Sequence, residues 1–364
     1  MKTLLVILLV LPCVLALGQN TSVVTTLSSS LSETSGLITL NGKLITHNDS
    51  GGEAALYEID TITGNFTRKV IVENANNVDW EDLARDNQYI FIGDFGNNNG
   101  NRTNLKIYRV LISDYFNAVN DTVQAEEINY SYADQTDFTY SQYSTNFDAE
   151  AMEVYHDTIY IFTKNWGNQK SYVYGIPNAV GTFAVPRIDS LNPQGLITGA
   201  TYDSLSQNLI LCGYEAAPFV FQSTNIQPPF FSTNVFQKID LNVQNSVQIE
   251  GVTSIGSHYY LSAEQNPLGT ASLYRLNNPS GLAIEVIDFG NVKIYPNPVI
   301  DWLTVETVAD DFYIEVYNVL GNLVLRSNNK TVDVKYLPNG SYFVKFFNGE
   351  GREIGTAKIF KIEQ

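Results

Sequence analysis

The sequence contains little cysteine, methionine or histidine. Its 364 residues include two cysteines, two methionines and three histidines. The histidines are isolated, which excludes the His/Cys clusters that hold zinc or iron. Cys13 lies in the N-terminal apolar segment, which leaves Cys212 alone in an apolar strand pattern. We expect Cys212 to be a buried, inert thiol and the chain to have no internal disulfide.

Basic residues are also scarce. The chain has 21 Lys and Arg against 38 Asp and Glu, a net charge of −17. Residues 292–364 carry eight basic and nine acidic side chains, so nearly all of the excess acid lies before them. Phosphate contacts need Lys and Arg patches, and none is present, which excludes nucleic acid as a partner. The acidity suits cation binding or solubility.

Long apolar runs are confined to the N-terminus. Lys2 is followed by an apolar stretch that ends in the small-residue cleavage pattern Ala16-Leu-Gly18. We interpret residues 1–18 as a secretory signal peptide, with a lipoprotein anchor at Cys13 as the alternative. No other segment has 18 uninterrupted apolar residues, so we expect a secreted or surface protein without a transmembrane segment, and a monomer.

Five segments of the chain begin alike. Each opens a short strand pattern, and a second apolar strand ends 12 positions after its first residue. The first residues are Ser35, Glu81, Glu150, Thr198 and Glu250. Repeats of this kind predict a propeller. We predict an all-β chain with a five-bladed propeller over residues 19–290, six blades being the alternative, and residues 22–31 closing the last blade.

The same five residues predict a metal site. If the innermost strands line a central channel, three carboxylates and two hydroxyls face one axis. Such groups repel each other unless a hard cation lies between them, and calcium prefers oxygen ligands of this kind. We therefore predict a central calcium bound by Ser35, Glu81, Glu150, Thr198 and Glu250. The alternative is a polar channel that binds water.

A second set of polar residues follows the second strand of the repeats. The candidates for catalysis are His47, Asp49, Asp94 and Lys164. His47 or Asp49 would serve as a general base. Lys164, with Arg102, would hold an anionic group, and Trp166 would stack on a sugar or base. The alternative is that these residues belong to solvated turns, where Asn and Asp are favoured for backbone reasons.

Residues 291–364 form a separate unit of short alternating strands, for which we predict a small Ig-like β-sandwich. The unit resembles the type A sorting domain of type IX secretion in Bacteroidota. The matching segments are Tyr295-Pro-Asn-Pro298, Val316-Tyr-Asn-Val-Leu-Gly321, Leu337-Pro-Asn-Gly-Ser-Tyr342 and the terminal strand with Lys358 and Lys361. The resemblance implies passage across the outer membrane, with the type IX machinery as partner of residues 291–364.

The preceding region resembles the calcium-activated nucleotidases, or apyrases, through Ser35-Gly-Leu-Ile, Trp80-Glu81 and Glu250-Gly-Val. That family implies five blades and central calcium ligands in the order Ser, Glu, Glu, Ser, Glu, with Thr198 replacing the second serine. Asn48-Asp-Ser-Gly51 stands where that family has Asp-Asp-Arg. Phytase-like and esterase-like propellers are similar through Asp79-Trp-Glu-Asp82, Gly93-Asp-Phe-Gly-Asn97 and Asp148-Ala-Glu150.

These observations leave three functions open. The first is a metal-dependent hydrolase of phosphoesters or related anions. The second is a non-catalytic propeller that binds a glycan or a protein, and the third is a structural module held by calcium. Neither a Gly-x-Ser-x-Gly motif nor a glycine-rich phosphate loop is present. A glycosidase pair among Glu81, Glu150 and Glu250 also remains open.

Overall fold

The structure is a computed structural model, and it describes residues 21–203, 207–224, 226, 228–255, 258–277, 287–288, 292–295, 299–307, 309 and 311–361. The predicted signal peptide, the predicted boundary between residues 290 and 291, and residues 296–298 of the sorting-domain motif lie outside the described residues. Among the described residues, no helix is long and apolar enough to cross a membrane.

Strands make up almost all of the regular secondary structure in the first region. They are β1 Thr21–Thr26, β2 Thr34–Leu40, β3 Lys43–Asn48, β4 Ala55–Ile59, β5 Phe66–Val72, β6 Trp80–Arg85, β7 Tyr89–Asp94, β8 Lys106–Leu111, β9 Thr122–Val123, β10 Glu126–Tyr132, β11 Ala149–Tyr155, β12 Thr158–Thr163, β13 Ser171–Pro177, β14 Gly181–Val185, β15 Arg187–Leu191, β16 Leu196–Asp203, β17 Asn208–Tyr214, β18 Pro218–Thr224, β19 Gln237–Asp240, β20 Ile249–Ile255, β21 His258–Ala263 and β22 Ser272–Asn277. A short helix, α1, spans Ile112–Phe116, and 3-10 turns span Ser29–Leu31, Val119–Asp121 and Phe231–Thr233.

These strands form five sheets of four or five strands. Each sheet has one of the strands β2, β6, β11, β16 and β20 at one edge. These edge strands contact one another in chain order, and β20 also contacts β2. The region is therefore β-propeller-like, with the five edge strands innermost.

Apolar side chains fill each interface between neighbouring sheets. Side chains alternate between the two faces of a strand, so each sheet contributes to the interface on either side. Phe91 packs in the cluster with Met152 of the following sheet, and Phe162 packs in the cluster with Phe219 of the sheet after that. Cys212 is a buried free thiol in the next such cluster, as its apolar surroundings in the sequence predicted.

The two ends of this region meet in one sheet. β1 pairs antiparallel with β22, with Thr21 opposite Leu276 and Val23 opposite Tyr274. This confirms that the N-terminal stretch completes the sheet of β20–β22. The later part of the predicted stretch differs, because Ser29–Leu31 forms a 3-10 turn whose Leu31 is buried.

Two strands, β9 and β14, belong to a different sheet from the strands next to them in sequence. β9 pairs in parallel with β5 of the first sheet, and β14 pairs in parallel with β10 of the second. Between β8 and β9 the chain forms α1, whose Tyr115 is buried. Both β9 and β14 extend the outer edge of the preceding sheet and cover backbone groups that would otherwise be unpaired.

The C-terminal unit contains two further sheets. Its strands are β23 Ile287–Asp288, β24 Val292–Tyr295, β25 Trp302–Thr307, β26 Phe312–Asn318, β27 Leu323–Ser327, β28 Thr331–Asp333, β29 Gly340–Asn348 and β30 Glu353–Lys361. One sheet has the order β23-β24-β25-β28 and the other β27-β26-β29-β30. Ile294 and Val305 of the first sheet share one buried core with Ile314 and Val344 of the second.

Candidate functional site

Each of the five predicted calcium ligands lies at an irregularity in its innermost strand. The pairing register shifts between Thr34 and Leu37, Trp80 and Leu83, Ala149 and Ala151, Ile197 and Gly199, and Ile249 and Gly251. The skipped positions include Ser35, Glu81, Glu150, Thr198 and Glu250. A β-bulge redirects the side chain of its extra residue and is common beside functional sites. The repeated segments of the sequence are thus five bulges at one end of the inner strands.

Close packing of the inner strands explains the small residue that follows most of these positions. A Cβ on Gly251 would lie 2.5 Å from the carbonyl oxygen of Ser35 in the neighbouring sheet. A Cβ on Gly36 would lie 2.7 Å from the Cα of Asp82. Real Cβ atoms do not approach other atoms so closely. The neighbouring strands can therefore pack this tightly at Gly36 and Gly251 only because glycine has no side chain.

The two hydroxyl residues of the predicted set bind the neighbouring strand. Ser35 Oγ donates to the carbonyl oxygen of Glu81 at 2.5 Å. Thr198 Oγ1 donates to the carbonyl oxygen of Ile249 at 2.6 Å. Each hydroxyl therefore links two sheets at the level of the bulges. Ser35 also lines a cavity at this level, and Thr198 is buried outside its lining.

The cavity has a volume of about 190 Å³ and collects residues from all five sheets or the loops that follow them. Its lining is Ser35, Asp49, Glu81, Asn98, Tyr143, Glu150, Lys164, Trp166, Tyr214, Gln248, Glu250 and Glu264. Five of these side chains are carboxylic acids, and one is a base. The structure thus brings together four of the five predicted ligands and two of the four catalytic candidates.

Glu81 lies in a group of three carboxylates. One oxygen each of Asp49, Asp79 and Glu81 lies within 4.8 Å of the other two. Burial is the largest cause that raises the pKa of Asp49 to about 7 and that of Asp79 to about 6. Burial, followed by repulsion from neighbouring carboxylates, raises the pKa of Glu81 well above its usual value. Asp79 was not among the predicted ligands, because it precedes the repeated segment.

The other two acidic residues of the predicted set face a lysine. Lys164 Nζ lies 3.3 Å from Oε2 of Glu150, and both side chains are almost fully buried. Burial raises the pKa of Glu250 to about 8, and the charge of Lys164 opposes that rise. Lys164 was predicted to hold an anionic ligand. In the structure its partner is an acid of this chain.

His47 and Asp94 lie outside the cavity lining. His47 is buried, its Nδ1 lies 2.9 Å from the carbonyl oxygen of Asn48, and burial lowers its pKa to about 4. Asp94 is buried and accepts a hydrogen bond of 2.8 Å from Arg102, which is thereby engaged as well. Arg102 also donates to the carbonyl oxygen of Gly96 at 2.8 Å. These contacts hold the loop after β7 in place.

Two aromatic rings lie at the rim of the cavity. The ring centroids of Tyr143 and Trp166 are 4.7 Å apart. Trp166 is fixed because its indole N–H donates to the buried Asp148 at 2.7 Å. Tyr143 is 55% exposed and has a φ of 52°, a left-handed conformation that is costly for a bulky residue. Strained residues of this kind cluster at binding sites.

Asp82, which sequence reasoning gave no role of its own, lies deeper among the inner strands. Its carboxylate accepts the N–H groups of Leu83 at 2.8 Å, Met152 at 2.8 Å and Ala200 at 3.2 Å. These donors come from three different innermost strands. The residue is fully buried, and burial raises its pKa while the three donors lower it. Asp82 thus ties β6, β11 and β16 together.

The C-terminal unit matches a known family. Residues 293–361 match the secretion system C-terminal sorting domain. This agrees with the resemblance to the type IX sorting domain seen in the sequence. The protein is therefore secreted or displayed at the outer cell surface, and its C-terminal unit supports engagement of the type IX secretion machinery.

Part of the chain is similar to several solved structures of glycoside hydrolases. A GH43 β-xylosidase/α-arabinofuranosidase from a compost metagenome shares 10% identity, with 71% of this chain and 94% of that chain covered and a TM-score of 0.42. A GH43_1 enzyme from Xanthomonas citri shares 12% identity over 71% and 90%, with a TM-score of 0.42. A glycosyl hydrolase from Bacteroides ovatus shares 11% over 68% and 85%, with a TM-score of 0.39.

Similarities at this level carry no argument about activity. They also lend no support to the resemblance to nucleotidases and phytases. No curated protein matches the sequence.

Proposed function

We propose that residues 21–277 form a five-bladed propeller that, after export by type IX secretion, binds a divalent cation, calcium, at one end of its central channel. The C-terminal unit is the Ig-like sorting sandwich. Asp49, Asp79 and Glu81 are the ligands that the geometry favours, with Ser35, Glu150, Thr198 and Glu250 around them. Oxygens that share one calcium ion at 2.3–2.6 Å lie at most about 5 Å apart, which fits the spacing of this group.

The observation that carries the proposal is the state of Glu81. This residue is 4% exposed and lines the cavity. Within the described part of the chain, its carboxylate has neither an ion-pair partner nor a hydrogen-bond donor, and the charged neighbours that act on it most are acids. An isolated buried carboxylate is costly, and a hard cation would supply the missing compensation.

Glu81→Gln should abolish most of the stabilisation by calcium. A cation that binds only the folded state adds about 2.7 kcal/mol at 100 times its dissociation constant. We expect the wild-type melting temperature to rise on addition of calcium to EDTA-treated protein. Glu81→Gln removes a ligand and its charge, so the rise should largely disappear.

Glu53→Gln is the matched control for this test. Glu53 is half exposed, pairs with Lys69 at the surface and is not part of the cavity lining. Its variant should respond to calcium as the wild type does. A calcium response that Glu81→Gln and Glu53→Gln reduce equally would contradict the proposed site, as would a wild-type protein that does not respond.

The geometry gives less support to a phosphoester hydrolase. Lys164 is the single base among the cavity-lining residues that the structure describes, and it pairs with Glu150. Arg102 pairs with Asp94. An anionic substrate would meet five carboxylates in the lining, and Lys164 is already paired with Glu150. Binding of such a substrate would therefore depend on a bound cation.

The rim favours an uncharged ring-shaped ligand such as a sugar, which is our second candidate function. Tyr143 and Trp166 offer aromatic surface, and Asn98 and Gln248 offer amide groups in the same lining. Aromatic rings with amide and carboxylate hydrogen-bonding groups suit the apolar faces and hydroxyls of a sugar. The net negative charge of the lining disfavours sulfated or phosphorylated glycans.

Tyr143→Ala should weaken binding of neutral oligosaccharides by about tenfold, because it removes an exposed aromatic contact worth roughly 1 kcal/mol or more. The measurement is a titration of a neutral oligosaccharide panel followed by tryptophan fluorescence. Tyr140→Ala is the control, since Tyr140 is 60% exposed in the same segment but does not line the cavity. Equal loss in both variants, or a preference for sulfated glycans, would contradict this candidate.

A further inference from the structure

Lys164 is buried in an acidic cavity rather than exposed at the surface. It follows β12, and its main-chain N–H donates to the carbonyl oxygen of Asp148 at 2.7 Å. The side chain then runs into the cavity, and only 5% of the residue is exposed. An ammonium that loses its hydration in this way needs partners within the protein.

The partners of the ammonium are an acid and two rings. Nζ lies 3.3 Å from Oε2 of Glu150, 4.9 Å from the ring centroid of Trp166 and 5.3 Å from that of Tyr214. Carboxylates and aromatic faces both attract a cation. The cavity therefore already contains one cation site, and a side chain of the protein itself fills it.

The lysine does not compensate all of the carboxylates equally. Among the described residues, its ion pair is with Glu150. Glu81 lies instead with Asp49 and Asp79, and one oxygen of each of these three carboxylates is within 4.8 Å of the other two. One side of the cavity thus has a counter-ion, and the described part of the chain shows no ion pair between Lys164 and the three carboxylates on the side of Glu81.

We propose that Lys164 is a tethered counter-cation that sets how tightly the cavity binds an external divalent cation, an inference that rests on the proposed cation site. The ammonium occupies the side of Glu150 and leaves the side of Glu81 to the added ion. Its positive charge repels that ion, and the repulsion is twice as strong for a divalent as for a monovalent cation. The cavity therefore stays partly neutralised without the ion, and it binds the ion less tightly than carboxylates alone would.

Lys164→Met should tighten calcium binding. Methionine keeps an unbranched apolar chain and removes the charge. We expect the calcium dissociation constant, measured by isothermal titration calorimetry on the purified full chain, to fall at least about tenfold, which corresponds to about 1.4 kcal/mol. Lys164→Arg keeps the charge and should stay within about threefold of the wild type.

A second variant keeps the test valid if Lys164→Met loses stability, since that change leaves Glu150 buried without its ion-pair partner. Lys164→Gln also removes the positive charge but keeps an amide donor on the side of Glu150. Its calcium dissociation constant should likewise fall by at least about tenfold. An unchanged or weaker affinity in Lys164→Met would overturn the role of the lysine and leave the cation site standing. Absence of calcium binding in both the wild type and Lys164→Met would overturn the cation site itself.

Discussion

Replacement of Asp82 by alanine should lower the free energy of unfolding by about 3 kcal/mol. The carboxylate accepts N–H groups of Leu83, Met152 and Ala200, which belong to three innermost strands. Each buried N–H that loses its acceptor costs roughly 1–3 kcal/mol, and water that enters the space would recover part of this. Urea unfolding of the full chain, followed by tryptophan fluorescence, measures the loss.

Asp60→Ala is the matched control for Asp82. Asp60 also accepts two main-chain N–H groups, those of Ile62 and Thr63, but it lies in an exposed turn where water replaces it. Its loss should be below about 1 kcal/mol. Asp82→Asn keeps one acceptor oxygen and should fall between the two. Equal losses for Asp82→Ala and Asp60→Ala would show that Asp82 does not tie the strands together.

In metal-free protein, stability should fall by roughly 3 kcal/mol as the pH rises from about 6.5 to about 8.5. Burial raises the pKa of Asp49 from 3.8 to about 7 and that of Glu250 from 4.5 to about 8. The unfolded chain has lost both protons throughout this range, while the folded protein still holds them at its lower end. Stability from a raised pKa of this kind is full at low pH and is lost as the pH passes the folded value.

His47 contributes little to the pH dependence of stability between about pH 6.5 and about pH 8.5. Burial lowers the pKa of His47 from 6.5 to about 4, so this group reduces stability only as the pH falls below its unfolded value. Thermal melting in EDTA across the window measures the effect. Glu250→Gln should flatten the dependence because it removes one titrating group. Stability that increases with pH across this range would refute the assignment. Calcium should stabilise more at the upper end, since the carboxylates that bind it have already lost their protons there.

Much of the fold follows from local sequence patterns. The strand Glu126–Tyr132 is an example, because its side chains alternate between more and less buried positions, and alternation every second residue is visible in the sequence. The parallel additions of β9 and β14 were not predictable in this way. Their partners lie in the preceding sheet, and a two-residue strand such as Thr122–Val123 carries no periodicity.

The candidate site was predictable in part. The 12-residue offset placed Glu81, Glu150 and Glu250 at one end of the inner strands, and the cavity lining contains all three. The pairing of Lys164 with Glu150 could not be predicted, since it depends on which way two loop-proximal side chains turn. The role of Asp82 could not be predicted for a similar reason. It depends on main-chain N–H groups of the innermost strands, and the sequence does not show which of these lack a partner in their own sheet.

The pairing of β1 with β22 joins the two ends of the first region within one sheet, although they are far apart in the covalent chain. This sheet is completed only when residues near 277 meet the strand at residues 21–26, so its formation depends on a contact of very long sequence separation. The pairing has a consequence for a protein exposed to extracellular proteases. A cut in a loop between two sheets leaves the strands on either side paired, whereas removal of β1 exposes the edge of β22.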